Sequence, residues 1–183
     1  MTTKAKATIQ DLYELPGSQK AEIVNGEIVL MSPTGSRPGR AAMKILTSLS
    51  SHEGRHGDGY AFGDNVGFAV KLPNRDSFSP DAAWYVGNID SMDFLDGAPA
   101  FAAEIRSKSD YGPKAEKSIM EKIKDYFISG SKVVWDVDLL SEEVIKVYRA
   151  SDPDNPTIYR RGDIAEAEPA VSGWRFPVDE LFG

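Results

Sequence analysis

Three acidic side chains stand where a role as ordinary solvated charges fits poorly. Glu22 lies in the apolar stretch Ala21-Glu-Ile-Val, Asp81 follows Ser79-Pro80, and Glu104 sits inside Phe101-Ala-Ala-Glu-Ile. The proline holds the chain extended just before a strand begins. In a strand of period two, Glu104 shares a face with Ala102, while Phe101, Ala103 and Ile105 point the other way. A small alanine beside an acid leaves room for an ion or a substrate. Taken singly, each acid could be a carboxylate on a half-exposed sheet face. Gathered from neighbouring strands, they repel one another unless a cation joins them, which is how a hard divalent ion is held. Two carboxylates plus waters suit Mg²⁺ or Mn²⁺, and the absence of cysteine removes the thiolate alternatives.

Such a site also calls for a lysine, and the best helical pattern in the chain, about Lys114 to Ser129, offers four. Its apolar stripe is Ile119, Met120, Ile123, Tyr126 and Phe127. At ~100° per residue, Lys122 falls about 40° from Tyr126, on the border of that stripe. Its stem can pack inside while its ammonium reaches a pocket. Lys124 lies on the opposite border near Met120, and Lys114 and Lys117 face further out. The alternative for all four is a solvated face, with pairs to Glu116, Glu121 or Asp125 at three- or four-residue spacing. His52-Glu-Gly-Arg-His56 has the zinc-protease spacing, but Gly54 and the following Gly57-Asp-Gly predict a fraying helix end. The chain has no phosphate-loop motif and no nucleophile elbow. Trp84, Trp135 and Trp174 read as core residues, not as a base-stacking platform.

The elements that must position these residues follow from periodicity and punctuation. Thr8 caps a short helix, Ile9 to Leu15, which Pro16-Gly17 ends. Asn25-Gly26 joins strands 21–24 and 27–31 in a two-residue hairpin. Residues 32–39 read as a loop, followed by a helix from Ala41 to about Ser51. Short strands are expected near 60–62, 66–71, 82–86 and 101–105. After the lysine-bearing helix, stopped by Gly130, come strands 132–137 and 143–148, an edge strand at 157–159, and a closing helical turn at 178–182. The expectation is a mixed α/β (α+β) fold, with one central sheet flanked by helices. The 183 residues make one domain, 1–183, with 1–7 as a flexible tail. No apolar run spans a bilayer and the start lacks a signal-peptide pattern, which predicts a cytoplasmic protein. The formal charge of −7 excludes coating of nucleic acid through net charge alone.

Pro80-Asp81 followed 23 positions later by Glu104 resembles the PD-(D/E)xK nuclease superfamily. More narrowly, the chain is similar to the Uma family of restriction endonuclease-like proteins, a domain of unknown function. The resemblance runs from about Leu15 to Phe182. It covers Glu22-Ile-Val-Asn-Gly-Glu-Ile-Val-Leu-Met-Ser-Pro, Ser79-Pro-Asp-Ala-Ala-Trp, Ala103-Glu-Ile-Arg-Ser and Lys122-Ile-Lys-Asp-Tyr. It continues through Gly130-Ser-Lys-Val-Val-Trp-Asp-Val-Asp, Val144-Ile-Lys-Val-Tyr-Arg and Phe176-Pro-Val-Asp-Glu-Leu-Phe. It implies a restriction endonuclease-like core, Asp81 and Glu104 as metal ligands, Lys122 as the motif lysine moved onto the next helix, and Glu22 as the first-segment acid. Two positions depart from the family pattern. Arg106, not lysine, stands two residues after Glu104, and a guanidinium handles protons poorly. Pro38-Gly39-Arg40 stands where relatives commonly carry a histidine.

The expected activity is therefore Mg²⁺-dependent hydrolysis of DNA phosphodiester bonds, with Asp81, Glu104, Lys122 and Glu22 as its residues. A homodimer would suit cleavage of both strands. Two other readings stay open: a non-catalytic binding or assembly module on the same fold, and a metal-dependent hydrolase of a smaller phosphorylated substrate. Between Glu104 and Lys132, seven basic residues face five acidic ones, so DNA binding is restricted to part of the surface and not excluded.

Overall fold

The computed structural model describes residues 5–17 and 19–183. In chain order the elements are α1 (Ile9–Tyr13), β1 (Ala21–Val24), β2 (Glu27–Leu30), α2 (Ser36–His56), β3 (Tyr60–Gly63), β4 (Phe68–Leu72), β5 (Arg75–Phe78), β6 (Ala82–Tyr85), β7 (Leu95–Asp96) and β8 (Phe101–Ile105). They continue with α3 (Pro113–Ile128), β9 (Val133–Val137), β10 (Ile145–Arg149), β11 (Asp152–Tyr159), β12 (Ile164–Ala167), β13 (Val171–Pro177) and a 3₁₀ turn, Val178–Phe182. The mixed α+β class is as expected, and the strands form two large sheets and a hairpin instead of one sheet. A six-stranded sheet runs β11-β10-β9-β8-β6-β3, a five-stranded one runs β2-β1-β5-β4-β7, and β12-β13 pair separately. The six-stranded sheet is mixed, because β8 and β9 are parallel while its other pairings are antiparallel.

That sheet is covered on both faces, which is why its strands are so apolar. One face carries Phe101, Ala103, Trp135 and Val147 against Ile45 and Leu49 of α2 and Trp174 and Phe176 of β13. The other carries Ala83, Ala102 and Val134 against Ile123 and Tyr126 of α3 and Phe68 and Phe78 of the five-stranded sheet. The alternation expected of β8 is thus observed. Trp135 stacks on Trp174 with centroids 5.0 Å apart, and Phe78 stacks on Tyr126 at 4.0 Å. All three tryptophans are core residues.

Several boundaries depart from expectation for local reasons. Helix α2 begins at Ser36, inside the segment read as a loop, because Pro38 sits in the first turn, where a missing N–H costs no intrahelical bond. It also runs unfrayed to His56, where Gly57 adopts a left-handed φ of 66° and closes the helix. Strand β11 contains Pro153 and Pro156 and is tolerated as a sheet edge. Strand β5, Arg75-Asp-Ser-Phe, is too polar to show period two, and β7 is only two residues long. Of the segment expected as a flexible tail, residues 1–4 lie outside the described residues, and Ala7 donates its N–H to the Gly26 carbonyl at 2.9 Å. Among the described residues no helix is long and apolar enough to cross a membrane.

Arg106 pins α3 to the six-stranded sheet. Its Nε and Nη2 donate to the two oxygens of Asp136 at 2.8 and 2.7 Å, and its fork also grips Glu116 in the first turn of α3. Arg106 and Asp136 are buried, 9 % and 3 % exposed. Asp136→Ala leaves the buried guanidinium with only the half-exposed Glu116, and the expected loss of unfolding free energy in a urea titration is about 3 kcal/mol, the low end for breaking a buried pair. Lys117→Ala, which removes only an exposed pair with Glu121, should leave the midpoint in place. Equal midpoints for the two variants would contradict the pinning role.

Candidate active site

The sheet register brings the first two acids together. Strand β6 pairs with β8 through Ala82 opposite Ala103, so one further step sets Asp81 opposite Glu104, with both side chains on the α3 face. The backbone confirms that step: the Asp81 N–H donates to the Ala103 carbonyl at 3.1 Å, and the Ile105 N–H donates to Asp81 Oδ2 at 2.8 Å. Asp81 thus continues the β6–β8 ladder with its side chain. Glu104 is held by Tyr126, whose hydroxyl donates to Oε1 at 2.6 Å. Among the described residues, no hydrogen bond to Glu104 Oε2 is seen beside this one to Oε1.

Lys122 completes the group. One helical turn before Tyr126, it places Nζ 2.9 Å from Glu104 Oε1 and 2.9 Å from Glu22 Oε1. Glu22 comes from the five-stranded sheet and is 2 % exposed. Its Oε1 also accepts the Ser79 N–H at 2.9 Å, and its Oε2 accepts Arg75 Nη1 at 2.6 Å. All four residues singled out from the sequence therefore lie in one network. Lys124 is exposed, and Arg106 is committed to Asp136 and Glu116, so neither stands in for Lys122.

Four further members went unrecognised in the sequence. Lys20 bridges Asp81 Oδ1 at 2.9 Å and Asp64 Oδ1 at 2.5 Å. Arg75 carries Glu22 on one nitrogen and donates from Nε to Asp125 Oδ2 at 2.9 Å. Asp125, which the helical spacing made a partner for surface lysines, is buried instead and accepts Asn74 Nδ2 as well. The one available signal was Lys20, two residues before Glu22 and so on the same face of an extended chain. Asp64 and Arg75 sit in turn-rich stretches with no pattern to mark them.

The charges divide the roles of the two glutamates. Burial works against the Glu22 carboxylate, yet the Lys122 and Arg75 cations outweigh it and hold its pKa below the ordinary range. Burial also works against the Lys122 ammonium, and Glu104 and Glu22 outweigh that, so its pKa lies above the ordinary value. For Glu104, burial prevails with help from the Asp81 and Glu22 charges, and its pKa is raised. Tyr126 is pushed well up by burial and by the same glutamates, which keeps its hydroxyl a donor.

These residues fit a divalent cation. The donors are hard oxygens, and Glu104 has an oxygen to spare. Five carboxylates (Glu22, Asp64, Asp81, Glu104, Asp125) against three cations (Lys20, Arg75, Lys122) leave two negative charges in the network. The Ser79 hydroxyl, two residues before Asp81, is buried without a partner among the described residues, a donor suited to a water of such an ion. Among the described residues no three or more His, Cys, Asp or Glu side chains form a metal-binding group, so the fit is of two carboxylates completed by water. Beside Asp81 opens a cleft of about 160 Å³, whose lining includes Asp64 and Thr34, Pro38, Ala42 and Met43 around the start of α2. The His52/His56 pair offers nothing comparable: the two rings stack on each other at 4.2 Å, and Glu53 accepts the Ala61 N–H.

A carboxylate with a lowered folded-state pKa contributes stability that is fully present above its unfolded value and lost as pH falls through the folded one. Unfolding free energy should therefore fall as pH drops below the ordinary glutamate value of 4.5. Glu22→Gln should flatten that acid slope and lower stability at neutral pH. Identical slopes in urea titrations of the two proteins would contradict the assignment.

The family described as “Putative restriction endonuclease”, Uma2, matches residues 9–179. A crystal structure from Anabaena variabilis, described as “a putative nuclease belonging to DUF820”, superposes with a TM-score of 0.74 at 16 % identity. The superposition covers 96 % of this chain and 97 % of that one, which establishes the shared fold. No curated protein matches the sequence. Given a family match that takes in nearly the whole chain, this protein belongs to the Uma2 family.

Proposed function

We propose that the chain is a metal-dependent endonuclease that hydrolyses DNA phosphodiester bonds, with Asp81 and Glu104 as ligands of Mg²⁺ or Mn²⁺. The observation that carries the proposal is the meeting of Lys122 with Glu22 and Glu104 at 2.9 Å, beside an Asp81 fixed opposite Glu104 by the sheet. When bound, the divalent ion supplies polarisation of the scissile phosphate and a lowered pKa for the attacking water.

The protein's own residues do the remaining work. Lys122 keeps its proton and offers a cation to the charge that develops on the phosphate oxygens. Glu22 holds that ammonium in place and is itself held by Arg75 and the Ser79 N–H. Tyr126 orients the Glu104 carboxylate from one side and leaves its second oxygen available. A phosphodiester approaches through the cleft beside Asp81, where Pro38 and Gly39 form part of the wall. The resemblance puts a histidine of relatives at those residues, and if that histidine helps bind substrate, this chain lacks its contribution. Cleavage of both strands of a duplex would call for two copies of the site, favouring a homodimer.

The size of the cleft gives weight to a second reading, hydrolysis of a small phosphodiester. One assay series addresses both, along with the non-catalytic alternative. The wild-type chain should nick plasmid DNA with Mg²⁺ and stop on chelation, and Asp81→Asn and Glu104→Gln should abolish the reaction. Lys122→Met should lower kcat by roughly 10²–10³, the usual scale for losing one preorganised charge donor. Circular dichroism of each variant confirms folding. Turnover of small phosphodiesters but not DNA would shift the substrate. Cleavage surviving in either carboxylate variant would refute the site. Failure of the wild type to bind Mn²⁺ at millimolar concentration in calorimetry would favour the non-catalytic module.

A further inference from the structure

The alternating charges continue past Glu104 to a cation that the proposed chemistry has not used. Lys20 lies just before β1, with its side chain 17 % exposed, and its Nζ is shared between Asp81 Oδ1 and Asp64 Oδ1. Asp81 has no other oxygen to offer freely, because Oδ2 is tied into the β6–β8 ladder by the Ile105 N–H. Glu104 presents the opposite case, with Oε1 engaged and Oε2 open. A divalent ion joining the two carboxylates would therefore meet an ammonium already seated on the Asp81 oxygen it needs. Two cations a few ångströms apart repel strongly in a partly desolvated site. Asp64 supplies a second anchor, half exposed, onto which the ammonium can withdraw without becoming unpaired.

We propose that Lys20 is a displaceable counterion of the metal site. In the metal-free protein it neutralises Asp81, and on metal entry it moves onto Asp64, so the Lys20–Asp64 pair sets how tightly the site takes a divalent cation. The inference rests on the reading of Asp81 and Glu104 as the metal ligands. It explains how a network with two more carboxylates than cations folds before any ion arrives: the ammonium separates Asp64 from Asp81, and it also faces Glu104.

The test is Mn²⁺ calorimetry and thermal melting on the full chain. Lys20→Met should bind Mn²⁺ about tenfold more tightly than wild type, the low end of effects for residues that contact a metal ligand. The same variant should melt lower without metal and recover when Mn²⁺ is added. Lys20→Arg, which keeps the charge, should bind as wild type does. Asp64→Asn removes the alternative anchor and should weaken Mn²⁺ binding. Should the Met variant fail to fold, Lys20→Gln keeps hydrogen-bonding capacity without charge and should show the same tightening. Wild-type or weaker affinity in the neutral variants, with binding abolished in Asp81→Asn, overturns the Lys20 inference and leaves the metal reading standing. Unchanged binding in Asp81→Asn, or no binding by any variant, overturns both.

Discussion

One ammonium shared by two glutamates is the interaction on which the functional end of this fold depends. Lys122 belongs to α3, Glu22 to the five-stranded sheet and Glu104 to the six-stranded sheet, so three layers meet at a single nitrogen. Removing an ion pair from water costs several kcal/mol per charge, and only close geometry with further hydrogen bonds offsets it. That geometry is present: Glu22 has both oxygens engaged, by Lys122 and Ser79 on one and Arg75 on the other. Helix α3 enters the network three times, since the Tyr126 hydroxyl donates to Glu104 and Asp125, three residues after Lys122, accepts from the same Arg75. The helix gives a cation to one sheet and an anion to a cation of that sheet. Its rotation and depth are therefore fixed by charge as well as by the packing of Ile123 and Tyr126.

The same network is arranged against its own stability at one place. Glu104 is raised by burial and by the neighbouring carboxylates, although Lys122 and Lys20 both pull the other way. Asp81 could have been distanced from it by a different register, yet the ladder fixes the two acids opposite each other. Like charges held together by a rigid sheet are a cost that a bound cation removes, and sites built to react commonly carry such a cost. The sheet around them is rigid because both its faces are covered, with aromatic stacks on either side.

How much of this could be read from the sequence depended on whether a residue broke a local pattern. Glu22 and Glu104 interrupt apolar strands, and Lys122 sits at the border of a helical stripe, so each conflicted with its surroundings. Lys20, Asp64, Arg75 and Asp125 did not. Asp125 looked like any solvated helix acid, and only the approach of β5 buries it. That strand itself, Arg75-Asp-Ser-Phe, has no apolar alternation, because its polar groups are satisfied by distant partners: Arg75 by Glu22, and Ser77 Oγ by the Ile23 N–H. The division into two sheets was hidden for a related reason. Strand order depends on contacts between residues about fifty positions apart, while turn signals and periodicity report only on neighbours. The N-terminal start of α2 was obscured by Pro38, which reads as a helix breaker until its position in the first turn is known.

Arg106 links the six-stranded sheet to the start of α3. Two residues after Glu104 and just past the end of β8, it keeps to the same sheet face. A lysine there would be a single flexible charge. The guanidinium instead presents a planar fork, and the parallel register sets Asp136 on the neighbouring strand opposite Glu104, where the fork can engage both its oxygens. Nη1, with Nη2 shared, takes Glu116 at the start of α3. That grip fixes the near end of the helix, and the helix then delivers Lys122 two turns later to Glu104. Arg106 is thus part of what holds Lys122 in position beside Glu104.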